Sequence, residues 1–170
     1  LRNSGNRLVE WPIRAFVYCF RGTPLLVQMF IWFYVLPELV GEDLGRWMKR
    51  DMPFPEATSA ILCLGTYTAS RVAEQVRAGI QSISRGQTEA SRSLGMTYVQ
   101  SMMHVILPQA LRRIIPPLAG QFISLIKDSS LLGIIAIREL TKATREVVTT
   151  SLQPFELWFV CALLYLVLTF

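Results

Sequence analysis

The sequence predicts an all-α transmembrane helix bundle, and three observations lead to that prediction. Of the 170 residues, 52% are hydrophobic and 17% are charged, whereas roughly 25% are charged in ordinary soluble domains. The apolar residues gather in four segments, and the charged residues gather between them. This composition excludes a disordered chain. It also disfavours a soluble domain, because so few charged residues cannot cover so much apolar surface.

The first two apolar segments run from about Ala15 to Leu36 and from about Pro55 to Gly79. A helix needs about 20 mostly apolar residues to cross a bilayer. Arg21 is the one charged residue in the first segment. Pro24 fits if the helix proper begins there, since a proline at the first helical position gives up no hydrogen bond. The second segment is uncharged over residues 57–70 and then becomes polar.

The last two segments lie in the C-terminal half. The third covers about Ile114–Ile126 and continues through Ser129–Ile137, beyond the pair Lys127 and Asp128. The fourth, Leu157–Phe170, is uncharged. Each of the four segments falls short of roughly 18 consecutive uncharged residues. Such interruptions are typical of helices that line a pathway, since polar residues at membrane depth face the interior of a bundle.

The charged residues predict how the chain is oriented in the membrane. Leu1–Gly22 carries a net charge of +3 and Arg71–Arg113 a net charge of +4, whereas Pro37–Glu56 carries −2. Because cytoplasmic loops are enriched in Lys and Arg, the first two segments are expected in the cytoplasm and the third outside. Two predicted helices separate the two basic segments, so the orientation is self-consistent. A DNA-binding surface would not be expected to show this agreement.

The cysteine and histidine content leaves little room for metal or disulfide chemistry. The three cysteines stand singly among apolar residues, and His104 is the one histidine. The cysteines are expected to be small buried hydrophobic residues. The sequence therefore predicts neither a disulfide framework nor a metal site.

The long segment Ser82–Arg112 has a helical pattern with Gly95 at its middle. This predicts two short helices joined at a glycine turn. Taken alone, Thr88–Val105 could be the helix-turn-helix of a membrane-anchored DNA-binding regulator. Against that reading, its second helix offers no Arg or Lys for phosphates or base edges. An amphipathic surface helix lying on lipid is a further alternative.

The same segment resembles the coupling loop of ABC importer permeases. Glu89-Ala90-Ser91, three residues, Gly95, nine residues and Val105-Ile106-Leu107-Pro108 follow the family pattern E-A-A-x3-G-x9-I-x-L-P. Ser91 and Val105 replace the usual alanine and isoleucine. In that family the loop forms a coupling helix that inserts into a groove on the ATP-binding subunit. The resemblance therefore implies an ATPase interface made by Glu89, Ala90, Ser91, Gly95, Leu107 and Pro108.

Further motifs resemble the polar amino acid uptake branch of the same family. Residues 21–28 read RGTPLLVQ, residues 73–80 fit AE-x2-R-x-GI, residues 85–87 read RGQ and residues 127–131 read KDSSL. The resemblance implies a type I ABC importer permease helix bundle with a cytoplasmic coupling-helix loop at about 82–112. Residues 1–170 would form a single transmembrane permease domain, and we expect it to be incomplete at both ends.

A permease breaks no substrate bonds, so its candidate site residues are polar groups at membrane depth. Residues 70–77 are similar to those of glutamate/aspartate permeases, and Arg71 could hold a substrate carboxylate through paired hydrogen bonds. The alternative is that Arg71 pairs with Glu74 or Asp128. By the resemblance, Asp128 could meet the ammonium group common to amino acids. It could instead be neutralised by Lys127 or Arg71.

Three uncharged residues complete the predicted substrate site. Ser129 and Ser130 could supply hydroxyl groups, or they could simply allow close helix packing. Tyr67 stands where relatives that carry basic amino acids often have asparagine, which disfavours a basic substrate. The charged residues between 139 and 146 are predicted to form a solvated helix on the outer side.

The predicted function is that of the transmembrane subunit of an ATP-driven importer of polar L-amino acids, favouring glutamate, aspartate or their amides. An importer of another small polar solute is the alternative. The sequence holds no G-x4-GK[ST] phosphate loop and no HExxH or GxSxG motif. We therefore expect no enzymatic activity and no cofactor in this chain, with ATP and Mg bound by a separate subunit.

The resemblance also implies partners and a location. The expected partners are two ABC ATP-binding subunits, a second permease subunit that is identical or homologous, a periplasmic or lipid-anchored amino acid-binding protein, and membrane lipid. Nucleic acid is not expected. The predicted location is the bacterial inner (cytoplasmic) membrane, which the chain would cross several times.

Overall fold

The computed structural model describes residues 7–135 and 137–170, and these residues form helices and no strands. Residues 1–6, which include part of the basic N-terminal segment, and Ala136, in the third apolar segment, lie outside the described residues. The longer elements in chain order are α1 (Arg7–Gly22), α2 (Leu25–Leu39), α3 (Glu42–Arg46), α4 (Pro55–Gln81), α5 (Arg85–Ser93), α6 (Tyr98–Ile135), α7 (Leu140–Ser151) and α8 (Pro154–Thr169).

The second and fourth apolar segments form helices close to the predicted bounds. α4 begins at Pro55 as predicted and runs two residues beyond the expected end. α8 begins three residues before the expected start, at Pro154, where a proline in the first turn costs no hydrogen bond. In both cases the apolar pattern and a proline at the N-terminal end determine the helix.

The first apolar segment, expected as one span whose helix proper begins at Pro24, is divided between two helices, and the second begins next to Pro24 as that condition required. α1 ends at Gly22, α2 begins at Leu25, and the chain axis turns by 107° at this break. Pro24 caps α2 in an extended conformation, with φ −60° and ψ 140°. The ring of Pro24 disfavours a helical conformation at Thr23. Residues 15–22 therefore belong to a different helix from residues 25–36.

The predicted turn at Gly95 is present, but the predicted short helix after it is not a separate element. α6 begins at Tyr98 and stays helical through the third apolar segment to Ile135. It changes from an α-helix to a 3₁₀-helix after Asp128. The sequence pattern reveals local helices, but it does not show that two of them share one axis.

Three stretches of π-helix account for part of this continuity. Each ends two residues before a proline, as shown by Ile31–Val35 and Pro37, Trp47–Asp51 and Pro53, and Met102–Ile106 and Pro108. A proline ring clashes with the carbonyl four residues earlier, which here belongs to the central residue of each π stretch. The wider π turn gives that carbonyl room. α2 and α6 can therefore continue through Pro37 and Pro108.

The chain divides into two compact units. The first unit comprises Leu1–Val17 and Ala69–Phe122, and the second comprises Tyr18–Thr68 and Ile123–Phe170. In the first unit the core consists of Ile83, Ile106, Ala110 and Ile114, with further apolar side chains around them. In the second unit the core consists of Leu25, Met29, Cys63 and Tyr67, packed by Trp32, Leu64, Leu131 and Leu132.

The described helices differ in how well they suit a bilayer. Tyr98–Ile135 is long and apolar enough to cross a membrane, and α1 with α2 passes the same test only as a bent pair. Pro154–Thr169 is apolar but shorter, with 16 residues. Arg71, Glu74 and Arg77 make the end of α4 polar. The number of membrane crossings thus remains a prediction.

Candidate coupling surface and substrate-facing residues

The predicted coupling residues fall into an outward group and an inward group. On α5, Glu89 and Ala90 are exposed, whereas Ser91 is only 3% exposed. Ser91 Oγ shares a short hydrogen bond with Ser101 Oγ and donates another to the carbonyl of Thr88. The side chain of Ser91 therefore joins α5 to the start of α6 and is not part of the exposed face.

The turn after α5 presents an exposed tip. Gly95 has a φ of +78°, a left-handed conformation that favours glycine. Gly95 N donates to the carbonyl of Arg92 at 2.9 Å, and Met96 N donates to the carbonyl of Ser91 at 3.2 Å. These bonds satisfy carbonyls at the end of α5, as in a Schellman motif. Leu94, which precedes the glycine, is 79% exposed.

The start of α6 is held by its own cap. Thr97 accepts a hydrogen bond from Gln100 N, and the side chain of Gln100 accepts one from Thr97 N. This capping box satisfies two amide groups at the helix start. Tyr98 and Val99 follow it and are both more than half exposed. The tip therefore combines exposed apolar residues with a rigid backbone.

Leu107 and Pro108 lie behind the tip, within α6. Leu107 is half-buried and Pro108 is exposed. Their neighbour Ile106 is buried with Ile83 and Ile114 in the core of the first unit. Leu107 and Pro108, at the end of the predicted motif, therefore lie next to the buried core of the first unit. Glu89, Ala90 and Gly95 lie on the exposed part of the coupling segment, residues 82–112.

Two further hydrogen bonds stabilise this segment, and the sequence did not suggest either of them. Gln109 Nε2 donates to Gln87 Oε1 at 3.2 Å, which ties α6 to the RGQ element at the start of α5. Arg113 donates to the carbonyl of Ser82 at 2.6 Å, across 31 residues of sequence. A cavity of about 360 Å³ lies between these elements and is lined by Ile83, Thr88, Tyr98 and others. The partners lie far apart in sequence, so no local motif identifies them.

The predicted substrate residues on α4 differ in exposure. Arg71, in the first unit, is exposed. The carboxylate of Glu74 accepts a hydrogen bond from Arg77 Nε at 3.0 Å, so Glu74 already has a basic partner. Tyr67, in the second unit, is 7% exposed within the core of that unit. Leu131, one residue after Ser130, packs against the same core cluster.

The predicted substrate residues on α6 lie where the helix changes type. Asp128 ends the α-helical part and is half-buried. Within residues 7–135 and 137–170, the Asp128 carboxylate has no hydrogen-bond or ion-pair partner, and its neighbour Lys127 is exposed. Ser129 Oγ donates to the carbonyl of Ile126 at 2.7 Å, and Ser130 is half-buried. The half-buried Asp128 carboxylate can therefore accept hydrogen bonds from a cationic group.

The helix predicted to be solvated on the outer side is partly buried instead. Glu139 caps α7 by accepting hydrogen bonds from Thr141 N at 2.7 Å and Lys142 N at 2.6 Å. It also accepts one from the hydroxyl of Tyr165 at 3.2 Å. A Cβ atom at Gly133 would lie 2.6 Å from Glu139 Oε1. Glu139 thus joins α7, α8 and the 3₁₀ part of α6, while Arg145 and Glu146 are exposed as predicted.

Known proteins are similar to this chain over almost its whole length. The family described as "Binding-protein-dependent transport system inner membrane component" matches residues 2–170. The chain is 36% identical over 170 residues to the glutamate/aspartate import permease protein GltJ of Escherichia coli (strain K12), covering 99% of this chain and 69% of that protein. It is 42% identical over 161 residues to the probable glutamine ABC transporter permease protein GlnM of Bacillus subtilis (strain 168), covering 95% and 69%.

A solved structure gives the same result for the fold. It is described as the crystal structure of an amino acid ABC transporter with histidines. The TM-score is 0.84 at 32% identity, and the likeness covers 98% of this chain and 72% of that chain.

Proposed function

Because this chain belongs to the family of binding-protein-dependent transport system inner membrane components, we propose that it carries a polar L-amino acid across the membrane, favouring glutamate, aspartate or their amides. The predicted membership of the ABC importer permease family and the predicted all-α permease fold are confirmed by the family match and the solved structure. The curated relatives are amino acid ABC importer permeases. What is proposed is the substrate and the way in which this chain works with its partners.

The exposed part of the coupling segment, which ends in the tip at Gly95, carries the proposal. It combines small or charged exposed residues, Glu89 and Ala90, with the left-handed turn at Gly95. A small side chain permits close approach of a second protein, and a carboxylate can pair with a basic residue there. Ser91 and Ser101 fix the inner side of the same helix. The geometry suits a helix that transmits force to a partner without itself deforming.

The partner of this tip is proposed to be an ABC ATP-binding subunit, two of which would act with two permease subunits. ATP and Mg would be bound and hydrolysed there, and this chain would hold no cofactor. The second permease subunit would be identical or homologous. A periplasmic or lipid-anchored binding protein would deliver the amino acid. The complex would lie in the bacterial inner membrane, which this chain would cross several times.

The substrate preference rests on residues 70–77 and on the relatives. The relatives named above are described as permeases for glutamate/aspartate and for glutamine. A guanidinium at position 71 can hold a carboxylate by two parallel hydrogen bonds. The half-buried Asp128 carboxylate can hold the ammonium group. Ser129, Ser130 and Tyr67, which belong to the same unit as Asp128, would contribute beside that carboxylate.

The alternative of a DNA-binding helix-turn-helix gains no support from the structure. Its second helix would have to be a short recognition helix, but α6 continues for 38 residues.

The test is an ATPase assay on the permease reconstituted in liposomes with its ATP-binding subunits and binding protein. Stimulation of ATP hydrolysis is measured with each amino acid in turn. We expect glutamate, aspartate, glutamine or asparagine to stimulate most. Arg71→Gln should weaken the response about ten- to a hundredfold in substrate concentration, because a charge-assisted hydrogen bond contributes about 1.5–3 kcal/mol. Equal stimulation by lysine or leucine would contradict the proposed substrate class.

A further inference from the structure

The first described helix, α1, exposes an apolar stripe. Leu8, Trp11 and Tyr18 on α1 are 85%, 76% and 73% exposed. Together with exposed Ala15 they are spaced three or four residues apart, so they share one face of the helix. The other side of α1, with half-buried or buried Ile13, Val17 and Phe20, faces the protein. The exposed stripe would be costly in water.

Basic residues border this stripe. Arg14 and Arg21 are both exposed and lie seven residues apart, which places them on one side of the helix, next to the apolar face. Glu10 is half-buried and pairs with Arg14 at 2.5 Å. By sequence, residues 1–22 carry a net charge of +3. A helix with aromatic residues on one face and arginines beside them suits the interface of an anionic membrane.

A hydrogen-bonded clamp fixes the angle between α1 and α2. The side chain of Gln28 is 4% exposed, and its Nε2 donates to the carbonyl of Phe20 at 2.7 Å. Nε2 also contacts the carbonyl and the hydroxyl of Thr23 at 3.0 and 2.7 Å. The Thr23 hydroxyl in turn donates to the carbonyl of Cys19 at 2.9 Å. The clamp therefore ties the last turn of α1 to the first turn of α2.

From these observations we propose that α1 lies along the cytoplasmic surface of the membrane, with Trp11 and Tyr18 among anionic lipids and the Gln28–Thr23 clamp holding it there. This rests on the proposed function, in which the chain crosses the bilayer several times, and it takes α2, the larger part of the first predicted span, as one crossing. The chain axis turns by 107° between the two helices, so a helix joined to a crossing helix in this way lies near the membrane plane. The basic N-terminal segment places that plane on the cytoplasmic side.

The experiment measures the depth of Trp11 in the intact permease, reconstituted with its ATP-binding subunits. Trp32, Trp47 and Trp158 are replaced by phenylalanine. The liposomes contain phosphatidylglycerol or only phosphatidylcholine, with bromine placed near the headgroup or near the chain end. Trp11 fluorescence should be quenched about twofold more by the shallow bromine, since such helices sit 5–10 Å below the headgroup boundary. This preference should be stronger with phosphatidylglycerol and should weaken in high salt.

Two sets of variants test the parts of the proposal. Arg14→Gln with Arg21→Gln should remove the difference between the two lipids. Gln28→Met keeps the length of the side chain but removes its donor, and it should abolish the depth preference of Trp11. Gln153→Met, at an exposed glutamine outside the clamp, is the matched control and should leave the quenching unchanged.

Two outcomes would overturn the proposal. Quenching of Trp11 by aqueous iodide would place α1 in water, and protection from both bromine and iodide would place it against a second copy, another subunit or another part of the protein. ATP-driven uptake is measured in the same liposomes. Trp11 at shallow depth without uptake would contradict the proposed function alone, whereas uptake with a protected Trp11 would contradict only the position of α1.

Discussion

At the scale of single residues, the proposed coupling function depends on the backbone conformation of Gly95. Its φ is +78°, and a Cβ atom there would meet no other atom within 4 Å. An added Cβ atom therefore acts through the backbone conformation and not through a steric clash. Gly95→Val should distort the tip, because a β-branched residue is strongly disfavoured in the left-handed region. We expect uptake to be lost while ATP hydrolysis and membrane insertion persist.

The control for this prediction is Gly95→Asn, since asparagine tolerates the left-handed region better than other residues. It should retain most of the uptake. Glu89→Arg, which reverses an exposed charge on the same surface, should uncouple hydrolysis from uptake as Gly95→Val does. Normal uptake by both Gly95→Val and Glu89→Arg would refute the coupling role of this segment.

The buried pair of serines gives a second test at this scale. Ser91 and Ser101 are 3% and 1% exposed and share a hydrogen bond. Ser101→Ala should destabilise the permease by about 1–3 kcal/mol, because it leaves the Ser91 hydroxyl with one partner fewer in a buried position. The double change to alanine should cost less than the sum of the single changes. Thermal unfolding in detergent measures this, and strictly additive effects would show that the two hydroxyls act independently.

At the scale of elements, the approach of α4 to α6 in the first unit depends on a glycine. A Cβ atom at Gly79 would lie 2.2 Å from Ile114 Cγ1. Gly79→Ala should therefore destabilise the permease by about 1–3 kcal/mol through overpacking. Gly65→Ala, on the same helix with no atom within 4 Å of its Cβ position, should be neutral or slightly stabilising.

The second change Ile114→Ala should relieve part of the cost of Gly79→Ala, although it also removes a buried side chain. Melting temperatures of Gly79→Ala, Ile114→Ala, the double variant and Gly65→Ala in detergent would show this. Equal melting temperatures for Gly79→Ala and Gly65→Ala would mean that the helices do not approach as closely as described.

Local sequence signals predicted the helices and the Gly95 turn, because these depend on residues within a few positions of one another. They missed the union of the second coupling-loop helix with the third apolar segment. No residue between Ser101 and Pro108 terminates a helix, and Pro108 does not stop it because a π turn precedes it. The Gln109–Gln87 and Arg113–Ser82 bonds also escaped prediction. Their partners come together only when the chain folds back at the turn.

At the scale of the whole molecule, the predicted orientation in the membrane is open to direct test. Single cysteines are placed in a variant from which the three native cysteines have been removed. Cys63 and Cys161 are buried as expected, whereas Cys19 is exposed, contrary to that expectation. A membrane-impermeant thiol reagent added outside intact cells should label positions in 41–53 and miss positions in 84–100. This follows from the net charges of the segments around them. The opposite labelling pattern would overturn the orientation.

The π-helical stretches bear on how this protein can change in length. A π turn holds one residue more than the α turn that it replaces, so each stretch is a single-residue insertion absorbed inside a helix. Deleting Met103 together with Pro108→Ala should restore an α-helix and leave every later residue on its original face. A deletion within the α-helical part of α4 would instead rotate later residues by about 100°. ATP-driven uptake should survive the first deletion and not the second, so related chains are expected to lose or gain such a residue together with the proline that follows it.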